Sequence, residues 1–178
     1  MPSSPPSASS IVLVGMMGAG KTSVGERLAE RRGWALFDTD RQVEQMVGQS
    51  VAELWAAEGE AAFRSLEAQV LADALAATTP AVVAAAGGTV LEPGNRLLLC
   101  AHTPVVWRRA EVDTLARRLG SGEDRPLLAG DVVGALTRLY AQRRPLSAAV
   151  ADVAVNVDDL STDGVVDRIE DELADLHA

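Results

Sequence analysis

Eight residues near the start of the chain have the types and spacing to hold a nucleoside triphosphate. Gly15-Met16-Met17-Gly18-Ala19-Gly20-Lys21-Thr22 reads G-x-x-x-x-G-K-T. Polyphosphate has to be wrapped by backbone N–H groups, and glycines at 15, 18 and 20 let the backbone come close and take positive φ. Ala19 and Ser23 extend the run of N–H groups available to phosphate. Lys21 is long enough to reach the β- and γ-phosphates, and the Thr22 hydroxyl suits Mg²⁺. Further on, Asp38 and Asp40 close an apolar run as D-T-D. Phosphoryl transfer to an alcohol needs a metal ligand and a proton acceptor, so this carboxylate pair divides into those two jobs. The residues alone leave open which of the two takes which job. Arg64, the glycine pair Gly87-Gly88 and Arg125 are the remaining candidates, as a cation for an anionic ligand, exposed backbone N–H groups and a cation in a mobile loop.

These groups need a scaffold, and the pattern of apolar residues supplies one. Ile11 to Val14 is a strand, followed by the glycine loop and a helix over Ser23 to Arg32 that ends at Gly33. Trp34 to Phe37 is a second short strand, with Asp38 or Thr39 capping a helix that Gly48 breaks. Ser50 and Glu53 make a capping box for the next helix, which restarts near Gly59 and carries Phe63, Leu66, Val70 and Leu75. Strands follow at Ala81–Ala85, Pro104–Trp107 and Asp152–Val157, with helices at Pro93–Ala101, Val112–Leu119, Asp131 to about Arg144 and Val165–Leu176. Strands separated by helices imply an α/β fold with a five-stranded parallel sheet and right-handed crossovers, and a ligand beyond the carboxyl ends of the strands.

The 178 residues fit one domain, read as a lead-in over 1–10 and a single domain over 11–178. Residues 39–78 form helices beside the acceptor site and 120–130 a lid. A net charge of −9 argues against nucleic acid as partner. No apolar run is long enough for a bilayer, so a cytoplasmic monomer acting on a small molecule is the expectation. The single cysteine, Cys100, excludes an internal disulfide, and its apolar surroundings in sequence suggest a buried thiol.

Taken together and in order, G-M-M-G-A-G-K-T-S-V-G from Gly15, F-D-T-D from Phe37, G-E-A-A-F-R-S-L-E from Gly59, A-G-G-T-V from Ala86 and R-P-L-L from Arg125 resemble the shikimate kinases. The resemblance implies a three-layer P-loop kinase fold with a mobile lid, and transfer of the ATP γ-phosphate to the 3-hydroxyl of shikimate. It implies ATP and Mg²⁺ at Lys21 and Thr22, metal support from Asp38, and Asp40 as base and ligand of the ring hydroxyls. Arg64 binds the substrate carboxylate, Gly87 and Gly88 line the ring, Arg125 closes over the phosphates, and Arg118 lies against adenine. Three departures accompany it: Ala86 replaces the first of three glycines, Asp163 stands where a proline often faces adenine, and Ala148 stands where a second carboxylate-binding arginine is expected. Arg144, one turn before Ala148, is the candidate to fill that space. A kinase of another cyclic polyol, and a nucleotide-binding regulatory protein, stay open as alternatives.

Overall fold

The computed structural model describes residues 10–102, 104–122, 125–128 and 130–176. Five parallel strands form one sheet in the order β2-β3-β1-β4-β5, where β1 is Ile11–Val14, β2 Ala35–Asp38, β3 Ala81–Ala84, β4 Val105–Arg109 and β5 Val153–Asn156. The central strand β1 reads Ile-Val-Leu-Val and is buried along its whole length, as a parallel strand covered on both faces must be. Alternate residues serve opposite faces. Ile11 and Leu13 join a core with Leu28, Val106 and Ile169, whereas Val12 and Val14 join Leu71, Val83, Leu99 and Trp107 on the other side.

Seven helices connect or flank the strands among the described residues: α1 (Lys21–Arg32), α2 (Thr39–Val47), α3 (Val51–Ala76), α4 (Pro93–Cys100), α5 (Val112–Leu119), α6 (Val132–Val150) and α7 (Thr162–Leu176). α1 opens at Gly20 and closes at Gly33, both left-handed, with φ of 75° and 64°. α2 and α3 form a separate unit over the end of β2, held by Val43, Leu54, Phe63 and Val70. The expected capping box is present, with Ser50 Oγ accepting from the Glu53 N–H at 3.2 Å and the Glu53 carboxylate accepting from the Ser50 N–H at 2.8 Å. Gly59 breaks the helical path inside α3 with φ 84° and ψ 175°. α1 and α7 are tied by surface ion pairs from Arg27, Arg31 and Arg32 to Asp163, Asp167 and Glu170.

Chain order puts the sheet's switch point beside β1. The chain leaves β1 for the edge strand β2, returns to β3 on the same side, then crosses to β4 on the other. Loops at the carboxyl ends of these strands therefore diverge and leave a crevice there. The glycine loop lies at its floor. Among the described residues no helix is long and apolar enough to cross a membrane.

Several expectations are corrected. Ser10, placed in the lead-in, is buried, and its Oγ accepts from the Ala81 N–H at 3.0 Å. Residues 1–9 lie outside the described residues. Cys100 is exposed rather than buried, because the residue before it, Leu99, takes the inward face of α4 and one residue is a turn of about 100°. β4 runs on past Trp107 to Arg109. α6 does not stop near Arg144 but passes through Pro145 to Val150. In the segment expected to be a lid, residues 123, 124 and 129 lie outside the described residues. Leu128 nevertheless packs fully into the main core after a 3₁₀ turn over Pro126–Leu128, so one end of the segment is anchored.

Candidate active site

One cavity at the carboxyl ends of the strands is lined by Lys21, Thr22 and Ser23 from the start of α1, and by Asp38 and Asp40 around the end of β2. Arg64 of α3, Gly87-Gly88 after β3, Arg118 of α5, Arg125 and Arg143 of α6 complete it. The glycine loop forms the nucleotide half. Gly15 has φ 146°, and a Cβ there would lie 2.6 Å from the Arg108 carbonyl oxygen, so only glycine lets β1 turn beside β4. Ala19 buries its methyl in the core and leaves its backbone to the loop. Lys21 is folded back on this loop, its Nζ donating to the carbonyls of Gly15 at 2.7 Å and Met16 at 2.9 Å. Burial, opposed by Asp40, brings its ammonium down to about 8.

Thr22 Oγ1 donates to Asp38 Oδ2 at 2.6 Å, while Asp38 Oδ1 accepts from the Arg41 N–H at 3.2 Å and caps α2. Asp38 thus serves as helix cap and loop partner together. A hydroxyl and a carboxylate oxygen at this separation are hard donors that fit Mg²⁺, an ion that takes most of its remaining ligands from phosphate and water. Asp40 lies not on the strand but in the first turn of α2, with the buried Thr39 between the two carboxylates. The two aspartates therefore face the same cavity rather than opposite sides. Burial first, then the charges of Glu67 and Asp38, push the Asp40 carboxyl up to about 6, against the pull of Lys21 and Arg125. A carboxylate so poised is a competent proton acceptor near neutral pH.

The acceptor half is built from guanidinium groups set against glycines. Arg64 is buried, donating to Glu67 Oε2 at 2.9 Å and to Glu60 Oε1 at 3.4 Å, and lies 5.5 Å from the Trp55 ring and 5.2 Å from the Phe63 ring. A Cβ on Gly88 would meet Arg64 Nη1 at 2.2 Å, and one on Gly87 would meet Arg143 Nη1 at 3.3 Å. The glycine pair leaves room for two cations. Ala86 lines the same cavity, and its N–H donates to Thr39 Oγ1 at 2.9 Å.

Arg143 corrects the expectation of a missing cation. It is 2 % exposed, and its Nε and Nη1 have no hydrogen-bond partner among the described residues. Arg144 and Ala148 are both exposed. Because α6 continues through Pro145, residues 143 and 147 share the inward face, while 144 and 148 share the outward one. Burial and the neighbouring Arg64 charge lower the Arg143 guanidinium to about 10.

Glu67 was not singled out from the sequence. It is fully buried, accepts from Thr89 Oγ1 at 3.2 Å as well as from Arg64, and so fixes Arg64's orientation. The signal was its spacing three residues after Arg64, the distance of facing partners on a helix. Arg118 lies beside the glycine loop, donating to the Val157 carbonyl at 2.9 Å and to that of Gly18 at 3.5 Å. Asp163 is turned to α1, accepting from Arg27 Nε at 2.7 Å. Arg125 is exposed at the cavity rim.

The chain matches known proteins along most of its length. The family model described as shikimate kinase matches residues 17–174. A shikimate kinase of Symbiobacterium thermophilum is 48% identical over 166 residues, covering 92% of this chain and 95% of the relative, and one of Thermobifida fusca is 40% identical over 162 residues, covering 91% and 93%. Among solved structures, a shikimate kinase from Acinetobacter baumannii in complex with shikimate superposes with a TM-score of 0.90 at 30% identity, covering 94% of this chain and 93% of that one.

Proposed function

The chain belongs to the shikimate kinase family, and from that premise we propose that it transfers the γ-phosphoryl group of ATP to the 3-hydroxyl of shikimate, giving shikimate 3-phosphate and ADP. The observation that carries this reading is the pair of buried guanidiniums, Arg64 and Arg143, set against Gly88 and Gly87 in the cavity that the glycine loop also lines. Arg64 already has Glu67 and Glu60, so a neutral polyol would leave the Arg143 charge buried without compensation, whereas a carboxylate accepts from both arginines. The Arg143 guanidinium, unpartnered at Nε and Nη1, also argues against another cyclic polyol as acceptor.

In this reading the carboxylate is gripped by Arg64 and Arg143, and the ring lies against Gly87 and Gly88. Asp40 accepts the proton of the attacking hydroxyl, for which its raised pKa of about 6 suits it. Lys21 leaves the Gly15 and Met16 carbonyls to meet phosphate oxygens, and Arg125 adds a second charge from the rim. Thr22 and Asp38 would hold Mg²⁺, which supplies neutralising charge to the phosphates. Catalysis is then positioning and electrostatics, as phosphoryl transfer requires. One chain supplies every group, which supports a monomer.

Release of ADP, followed in a coupled assay with shikimate, a neutral cyclitol or no acceptor, tests the reading. Turnover is expected with shikimate alone. Equal turnover with the cyclitol would favour the polyol alternative, and none with any acceptor would favour a nucleotide-binding regulator.

A further inference from the structure

The described residues contain four buried side-chain nitrogens or oxygens without a hydrogen-bond partner, and all belong to two arginines. One is Arg143, which faces the acceptor half. The other is Arg108, in β4, on the far side of the glycine loop. It is 3 % exposed, with Nε and Nη1 unsatisfied. β1 and β4 run in register with Val14 opposite Trp107, which brings Arg108 beside Gly15 at the start of the loop. Its side chain takes the sheet face that carries α1 and reaches the other end of the loop, where a Cβ on Gly20 would lie 3.3 Å from Nη1 and 3.5 Å from Nη2.

Arg108 makes no ion pair with any carboxylate among the described residues. The charges that act on it and around it are positive. Arg118 depresses its guanidinium, which burial has already lowered to about 9, and Arg108 in turn depresses Lys21. A protein does not keep a buried guanidinium among other cations without something to neutralise it. Among the described residues no carboxylate pairs with it, and the loop against which it lies is shaped for phosphate, so a bound anion is the partner that this position suits.

We propose that Arg108 is a built-in countercharge for the nucleotide, a positioning residue held behind the glycine loop whose charge is compensated when polyphosphate occupies that loop. The inference rests on the nucleotide-binding part of the function proposed above. It adds a third cation to Lys21 and Arg125, and it acts on phosphate rather than on adenine or acceptor. The buried position gives it weight, since a charge screened from water acts more strongly over the few ångströms of the loop than an exposed one.

The test compares the parent with Arg108→Leu, Arg108→Gln and Arg108→Lys, with ADP and adenosine as probes, read by calorimetry and by thermal midpoint. Arg108→Leu removes an uncompensated charge, so without ligand its midpoint is expected to equal or exceed that of the parent. Its ADP affinity is expected to fall ten-fold or more and its ADP-induced midpoint shift to shrink, with adenosine affinity unchanged. Arg108→Lys keeps the charge and is expected to retain ADP affinity within a few-fold of the parent. Should the leucine variant not fold, Arg108→Gln gives the same reading on a polar, neutral side chain.

Undiminished ADP affinity in a folded neutral variant would overturn the proposal. So would an equal loss for ADP and adenosine, which marks a packing role. A parent that binds ADP but does not phosphorylate shikimate refutes the acceptor assignment and leaves this inference standing, whereas a parent that binds no ADP refutes both.

Discussion

In the glycine loop at the nucleotide end of the cavity the anion-binding groups are neighbours in the chain, and the loop satisfies its own lysine. At the acceptor end they come from α3 and α6, and they are satisfied unequally: Arg64 has Glu60 and Glu67, while Arg143 leaves Nε and Nη1 unpartnered. The contrast separates two kinds of buried cation. Arg64 is part of the fold as well as of the site, because Glu67 depends on it. Arg143 pairs with no carboxylate among the described residues, so its charge is available to a ligand. Removing each should therefore give different phenotypes, and the same logic extends to the nucleotide end.

The largest effect should come from Asp40, which stands between the two ends. Asp40→Asn keeps the shape and loses the proton acceptor, and turnover is expected to fall by about 10²–10⁴-fold with ADP binding retained. In the parent, kcat/KM should rise with pH through about 6, since a protonated Asp40 cannot accept a proton, and decline above about 8 as Lys21 loses its charge. The asparagine variant should lack the acid limb. An acid limb that persists in it would assign the base elsewhere.

Next in size is Lys21→Ala, expected to lower turnover by about 10²–10³-fold, in line with loss of one transition-state charge donor. Its fold should be intact, because the ammonium bonds only to loop carbonyls. A variant as fast as the parent would detach the glycine loop from phosphate transfer.

The comparison is sharpest at the acceptor end. Arg143→Ala should raise the KM for shikimate roughly ten- to hundred-fold, corresponding to about 1.5–3 kcal/mol for one charge-assisted bond, with little change in turnover. Its thermal midpoint should not fall. Arg64→Ala should raise KM similarly but also destabilise the protein by about 3–5 kcal/mol, because Glu67 is left buried without its cation. Arg144→Ala and Ala148→Arg, both on the outward face of α6, should change neither constant. A strong KM effect at Arg144 with none at Arg143 would reverse the assignment.

The smallest effect is on stability and follows from Asp40 again. Its folded pKa of about 6 exceeds the ordinary 3.8, so the folded state binds that proton more tightly than the unfolded chain does. That contribution is fully present below about 3.8 and is lost as pH rises through about 6. Asp40→Asn should accordingly raise the thermal midpoint at pH 8 and leave it little changed near pH 3.5. Equal midpoints at pH 8 would mean that burial is not what raises this carboxyl.

What the sequence alone disclosed follows the same division between contiguous and dispersed groups. The glycine loop, Asp38 and Asp40 were legible because each is a short run with a fixed relation to a strand end. Arg64 was found as a cation in an apolar helix, but its partner Glu67 was passed over as one more glutamate. Arg143 differs by one residue from the sequence candidate Arg144: with the helix expected to end at about Arg144, nothing in the sequence marks which of the two faces inward, and they lie about 100° apart around the axis. Arg108 escaped because its strand was read as ending at Trp107. No local pattern marks a residue whose meaning depends on a loop brought alongside by strand pairing. The strand order, too, rests on contacts between distant segments, although the parallel sheet itself was expected from the alternation of strands and helices.

The glycines after β3 bear on how the acceptor site can change over generations. A methyl group on Gly88 cannot coexist with the Arg64 guanidinium, which would lie 2.2 Å from it, so Gly88→Ala is barred while Arg64 stands. Replacing Arg64 first strands Glu67, which makes that order of events harmful at its first step. Three positions are thus tied together, since Gly88 can change only once Arg64 has gone and Arg64 only together with Glu67, and the route to a different acceptor through this corner of the site runs through intermediates that fold poorly or bind badly. Arg143, with no dependent carboxylate and a looser fit against Gly87, is the position through which acceptor preference can drift one mutation at a time.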